Sequence, residues 1–127
     1  MLKVLVADDS VAIRERVVRM LSALEKAQVV GVASDGLELI KELRDLKPDL
    51  VILDLQMPRM GGFDILPTIK LIHPPPRVMV LTNYATGRHR EVAMKLGADY
   101  FFDKSTEFDQ AISLVENLSD LYTESET

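Results

Sequence analysis

Five short apolar runs, separated by stretches of helical periodicity, restrict what this chain can fold into more than any other feature. The runs are Leu2–Ala7, Val29–Ala33, Leu50–Asp54, Arg77–Leu81 and Asp99–Phe102. They are rich in Val, Ile and Leu and unbroken rather than alternating, the pattern of parallel strands buried on both faces. Between the first two, Ile13, Val17, Met20, Leu21 and Leu24 recur at helical spacing, and Leu37, Ile40 and Leu43 do so before Pro48. A third helix is predicted over Phe63–Ile72, ahead of the Pro74-Pro75-Pro76 run, and a fourth over Arg88–Leu96, closed by Gly97. The last is predicted from Glu107 to about Tyr122, with Thr106 and Asp109 as a capping box and Phe108, Ile112, Val115 and Leu118 as its buried stripe. Strict alternation of strand and helix implies an α/β fold, a parallel sheet covered on both faces by right-handed crossovers. The 127 residues suit one such domain, predicted over residues 1–122 with 123–127 as a short tail.

Composition excludes several classes. There is no cysteine, so disulfides and thiolate metal sites are out. No apolar run approaches the roughly 20 residues of a membrane span, and charge follows the first short run too soon for a signal peptide. A cytoplasmic protein without membrane attachment is expected. The net charge of −5 argues against direct nucleic-acid binding, which draws on Lys and Arg against phosphates.

The polar residues fall where such sheets place their sites, at the carboxyl ends of the strands. Asp8 and Asp9 end the first run, Asp54 the third and Thr82 the fourth, while Lys104 follows the fifth. If the strand order makes the first and third strands neighbours, three carboxylates, a hydroxyl and an ammonium converge on one edge. Two carboxylates ~4 Å apart repel by about 4 kcal/mol at an effective dielectric near 20. One lysine cannot neutralise three acids. A hard cation such as Mg²⁺, which takes oxygen ligands together with a phosphate group, answers the excess.

In this order the residues resemble the receiver domain of two-component response regulators, over Lys3 to Leu121. The match rests on Asp8-Asp9, on Asp54 in Val-Ile-Leu-Asp-Leu-Gln-Met-Pro, and on Gly61-Gly62, Thr82 and Lys104. The resemblance implies a flavodoxin-like three-layer sandwich with a five-stranded sheet in the order 2-1-3-4-5 and five helices. It implies that Asp54 accepts a phosphoryl group from a histidine kinase or histidine phosphotransfer protein. Mg²⁺ would be held by Asp9, Asp54 and the Gln56 backbone carbonyl, with Asp8 acting partly through water. Lys104 would pair with the phosphoryl oxygens, and Thr82 would bond one of them once Asp54 is modified. Thr82 and Phe101 would form the switch, read by a partner protein or output domain on the face made by the fourth helix, fifth strand and fifth helix.

Taken alone, each residue has a plainer reading: Asp8 and Asp9 as helix caps, Lys104 as a surface lysine, Phe101 as core. Leu114 and Leu121, seven apart and off the buried stripe, mark a candidate partner or homodimer contact on the last helix. His73 and His89 read as surface residues. Ser105 stands where many receivers carry proline after the lysine, so a cis peptide is not expected there. Asn83 is larger than the residue frequent at its position, and Tyr84 is expected to slow self-dephosphorylation. A turnover enzyme, a Mg²⁺-dependent aspartyl phosphatase, is disfavoured because Gln56 cannot serve as the acid two residues after Asp54. The expected chemistry is therefore self-phosphorylation and self-dephosphorylation only, in a stand-alone receiver or the receiver part of a longer response regulator.

Overall fold

The structure, a computed structural model, describes the backbone of residues 1–126 and the side chains of residues 1–122. Its elements alternate as the apolar runs require: β1 (Leu2–Ala7), α1 (Val11–Ser22), β2 (Ala27–Ala33), α2 (Gly36–Leu46) and β3 (Leu50–Leu53). There follow α3 (Gly62–Lys70), β4 (Arg77–Thr82), α4 (Gly87–Lys95), β5 (Tyr100–Asp103) and α5 (Phe108–Glu126). The five strands form one parallel sheet in the order β2-β1-β3-β4-β5. No helix among the described residues is long and apolar enough to cross a membrane.

The period of two along each strand divides the core into two layers. Leu5, Val51, Leu53, Val78, Val80 and Phe101 meet Leu39, Leu43, Ile65, Ile69 and Ala93 of α2, α3 and α4. Val4, Val6, Ile52, Met79 and Leu81 point the other way, against Val17 and Leu21 of α1 and the α5 stripe. That stripe, Phe108, Ile112, Val115 and Leu118, is buried as expected.

Several local expectations are corrected. Asp8 and Asp9 do not cap α1; Ser10 does, accepting a bond from the Ile13 N–H at 3.3 Å. In α2 the inward residues are Leu39 and Leu43, and Leu37 is exposed, because the helix begins at Gly36 and turns Leu37 outward. α3 ends at Lys70, short of the predicted Ile72. The turn into α5 is organised by Asp103 and Glu107 instead of a Thr106–Asp109 box. Glu107 donates its N–H to the Asp103 carbonyl, and its carboxylate accepts the Asp103 N–H at 2.9 Å. α5 continues through Glu126, past the predicted end near Tyr122; of the expected tail, Thr127 and the side chains from 123 lie outside the described residues. Leu121 is exposed but Leu114 is half-buried against the core, so the two do not form an exposed pair.

Candidate functional site

The sheet order makes β1 and β3 neighbours, with Ala7 opposite Leu53, so the residues that follow each strand come together. The Asp54 N–H continues the ladder to the Ala7 carbonyl at 3.0 Å, and the Lys104 N–H does the same to Thr82 at 2.9 Å. Backbone pairing therefore delivers Asp8, Asp54, Thr82 and Lys104 to one edge before any side chain interacts.

There the side chains form a closed polar network. Lys104 Nζ contacts Asp8 Oδ2 at 2.6 Å and Asp54 Oδ2 at 3.0 Å. Thr82 Oγ1 donates to Asp54 Oδ1 at 2.9 Å and accepts from the Tyr84 N–H at 3.1 Å. The Gln56 N–H also donates to Asp54 Oδ1, at 3.2 Å. Asp8 Oδ1 accepts the Ser10 N–H at 2.9 Å, holding the start of the β1–α1 loop. Asp8, Asp54, Thr82 and Lys104 are all buried, whereas Asp9 is exposed. The lysine read alone as a surface residue is thus an interior one.

Burial pushes the Asp8 carboxyl above its ordinary range, and the bonds from Lys104 and Ser10 pull it back without cancelling that effect. Burial also pushes the Lys104 ammonium down, but the bonds and charges of Asp8 and Asp54 outweigh it, so the net direction is up. The ammonium is held charged between its two acids.

One carboxylate oxygen from each of Asp8, Asp9 and Asp54 lies within 4.8 Å of the others. Three acid oxygens so close, beside a single lysine, suit a hard divalent cation and could hold a metal. Phe101 sits apart from this cluster, buried in the layer under α4, with the Arg90 guanidinium 5.7 Å from its ring centre.

Some contributors carried no signal in the sequence. The Arg14 guanidinium donates to the Asp8 carbonyl at 2.7 Å, fixing the β1–α1 loop from the first turn of α1. His89, read as a surface residue, is half-buried: its ring stacks 5.1 Å from Tyr84 and 6.1 Å from Phe63, and Nδ1 shares a hydrogen bond with Thr86 Oγ1. His73 is exposed, as expected. Among the described residues the cis peptide is His73–Pro74, and Lys104–Ser105 is trans. Gly62 is a glycine for a plain reason: a Cβ there would lie 2.7 Å from Leu55 Cα and 2.9 Å from the Asp54 carbonyl oxygen.

Sheet order and site together define a doubly wound α/β domain with its polar cluster at the β1/β3 switch point. Residues 4–116 match the family model described as the response regulator receiver domain, and the chain belongs to that family. It is 45% identical over 106 residues to protein-glutamate methylesterase/protein-glutamine glutaminase 1 of Methanospirillum hungatei, covering 82% of this chain and 31% of that one. It is 36% identical over 118 residues to response regulator GacA of Pseudomonas syringae, covering 91% of this chain and 55% of that one. Among solved structures, the response regulator domain of Thermotoga maritima CheB matches with a TM-score of 0.82 at 28% identity, covering 95% of each chain. The chain therefore spans about a third to about half the length of these curated relatives.

Proposed function

We propose that Asp54 accepts a phosphoryl group from the phosphohistidine of a histidine kinase or histidine phosphotransfer protein. The observation that carries this reading is that Lys104 and Thr82 both bond the Asp54 carboxylate at the sheet edge. An ammonium and a hydroxyl so placed can follow charge from the carboxylate onto phosphoryl oxygens. An Asp54 oxygen forms a bond to phosphorus as the donor's P–N bond breaks, and the histidine nitrogen leaves with the electron pair and takes up a proton. The product is an acyl phosphate.

Mg²⁺ fits the acid oxygens, with Asp9, Asp54 and the Gln56 backbone carbonyl as its protein ligands and Asp8 acting partly through water. When bound, it neutralises charge on the transferring phosphoryl group. Asp9 is the exposed member of the cluster and is accessible to an incoming ion. Lys104 is drawn from bridging Asp8 and Asp54 to bonding a phosphoryl oxygen, and Thr82 exchanges its bond to Asp54 for one to that group.

The added group brings roughly −1.5 to −2 charges and three acceptors. It pulls Thr82 inward with the β4–α4 loop, and Phe101 repacks beneath α4. A downstream partner or output domain reads the α4–β5–α5 face, and the only chemistry is phosphorylation and dephosphorylation of the chain itself. The protein acts in the cytoplasm, alone or as the receiver part of a longer response regulator. Intact mass after incubation with Mg²⁺ and acetyl phosphate tests this. One phosphoryl group is expected, absent in Asp54→Ala and without Mg²⁺. A folded wild-type protein that gains none refutes the reading, and hydrolysis of phosphate monoesters that persists in Asp54→Ala favours a phosphatase.

A further inference from the structure

The loop that follows Asp54 carries an unusual backbone and an ion pair that ties it to a distant helix. Arg59 and Met60 are consecutive non-glycine residues at φ 59° and 137°. Left-handed backbone of this kind is strained in residues with a Cβ and persists only where the surroundings hold it. On the core side the loop is anchored by Leu55 and Met57, both buried. On the outer side Arg59 reaches across to Asp35, the N-cap of α2. Its Nε donates to Asp35 Oδ2 at 3.1 Å, and Nη2 bonds the same oxygen. Asp35 is buried and uses its other oxygen to accept the Glu38 N–H at 2.8 Å, so its carboxylate cannot swing away. Next to it, Gly36 lets the loop settle on the start of α2: a Cβ there would collide with the Met60 carbonyl oxygen.

We infer that the Arg59–Asp35 ion pair, with Met60 seated on Gly36, is a latch that positions the Gln56 carbonyl for the divalent cation. The inference rests on the proposed metal site. Gln56 lies between the two core anchors, Leu55 and Met57, the second of which runs through Pro58 into the latch, and its own N–H is already committed to Asp54. With both ends of the segment fixed, the direction of the Gln56 carbonyl is fixed too. Mg²⁺ tolerates little departure from octahedral geometry, so a carbonyl that wanders weakens binding even with every carboxylate in place. Arg59 and Asp35 touch neither the cation nor the phosphoryl group; they are positioning residues. The neighbouring Arg59 holds the Asp35 carboxyl below its usual range, so the latch stays charged through neutral pH.

The test is Mg²⁺ affinity, measured by calorimetry or by amide chemical shifts, in the wild type, Arg59→Ala, Asp35→Asn and the double variant. Asparagine keeps the helix cap, and exposed Arg59 can be removed without opening the core. Loss of outer support for metal ligands costs about tenfold or more in affinity. A rise of about tenfold in Kd is expected for each single variant, with no further loss in the double variant. Lys26→Ala, which breaks the exposed pair with Asp120, should leave Kd unchanged and controls for general surface charge. Gly36→Ala reaches the same end by displacing Met60 and should weaken binding with the charges intact. A merely structural ion pair would lower thermal stability and leave the Kd of the folded protein alone. Unchanged Kd in Arg59→Ala and Asp35→Asn, with a wild type that binds Mg²⁺, overturns the latch alone. A wild type that binds no Mg²⁺ overturns the metal site and the latch with it.

Discussion

Replacing Lys104 by methionine isolates the electrostatics at the centre of the site. Methionine keeps much of the apolar stem and removes the cation that bonds Asp8 at 2.6 Å and Asp54 at 3.0 Å. One oxygen of each acid lies within 4.8 Å of the other, in a site where Lys104 itself is only 8% exposed. Two unit charges at that separation repel by about 3.5 kcal/mol at an effective dielectric near 20. Removing one partner of a buried ion pair costs about 3–5 kcal/mol by comparison. A loss of about 3 kcal/mol is therefore expected at pH 7 without Mg²⁺. For a domain of this size, with a urea slope of about 2 kcal/mol per molar, the midpoint falls by roughly 1.5 M. The loss should also depend on pH. Burial already raises the Asp8 carboxyl, and the variant lacks the lysine bond that pulls it back. A carboxyl raised in the folded state contributes stability below its unfolded value that is lost as pH rises through the folded one. The deficit is then largest at neutral pH and shrinks on acidification. Urea curves followed by far-UV circular dichroism at pH 7 and pH 5 test both parts. Equal midpoints at pH 7, or a deficit that does not change with pH, would refute the electrostatic argument.

Three further perturbations probe the same site. Thr82→Ala removes a fully buried hydroxyl that donates to Asp54 and accepts from Tyr84, and should cost about 1–3 kcal/mol in urea unfolding. Phosphoryl uptake should survive in that variant while partner affinity of the phosphorylated form falls; equal affinity in both proteins counts against Thr82 as the switch. Gly62→Ala forces a Cβ against Leu55 Cα and the Asp54 carbonyl, and should destabilise by about 1–3 kcal/mol and slow phosphoryl uptake. Mg²⁺ at a hundredfold its Kd should stabilise the wild type by about 2.7 kcal/mol. Asp9→Asn should lose most of that gain, and chelation should reverse it, as read by thermal melting.

The sheet was legible because buried parallel strands leave unbroken apolar runs, and because polar residues directly after such runs must share one edge. Strand order came from the resemblance, since the runs alone do not say which strand lies in the middle. Other features turn on contacts that sequence spacing does not encode. The ammonium of Lys104 reaches Asp8 across 96 positions, and nothing local marks it as an interior residue. Ser10 outcompetes two adjacent aspartates for the α1 cap because Asp8 is committed to Lys104 and the Ser10 N–H. Glu107, four residues after Asp103, displaces the capping box read from Thr106 and Asp109. The Arg59–Asp35 pair joins two loops 24 residues apart, and the left-handed backbone at Arg59 and Met60 has no glycine to announce it.

The central claim is that Asp54 carries the phosphoryl group as an acyl phosphate. Phosphorylate the protein with acetyl phosphate and Mg²⁺, reduce it with borohydride, digest it and sequence the peptides by mass spectrometry. Reduction converts an aspartyl phosphate to homoserine. Homoserine at position 54 and at no other aspartate is the predicted result. Phosphorylated protein with aspartate intact at 54, or with homoserine at Asp8 or Asp9, would contradict the account.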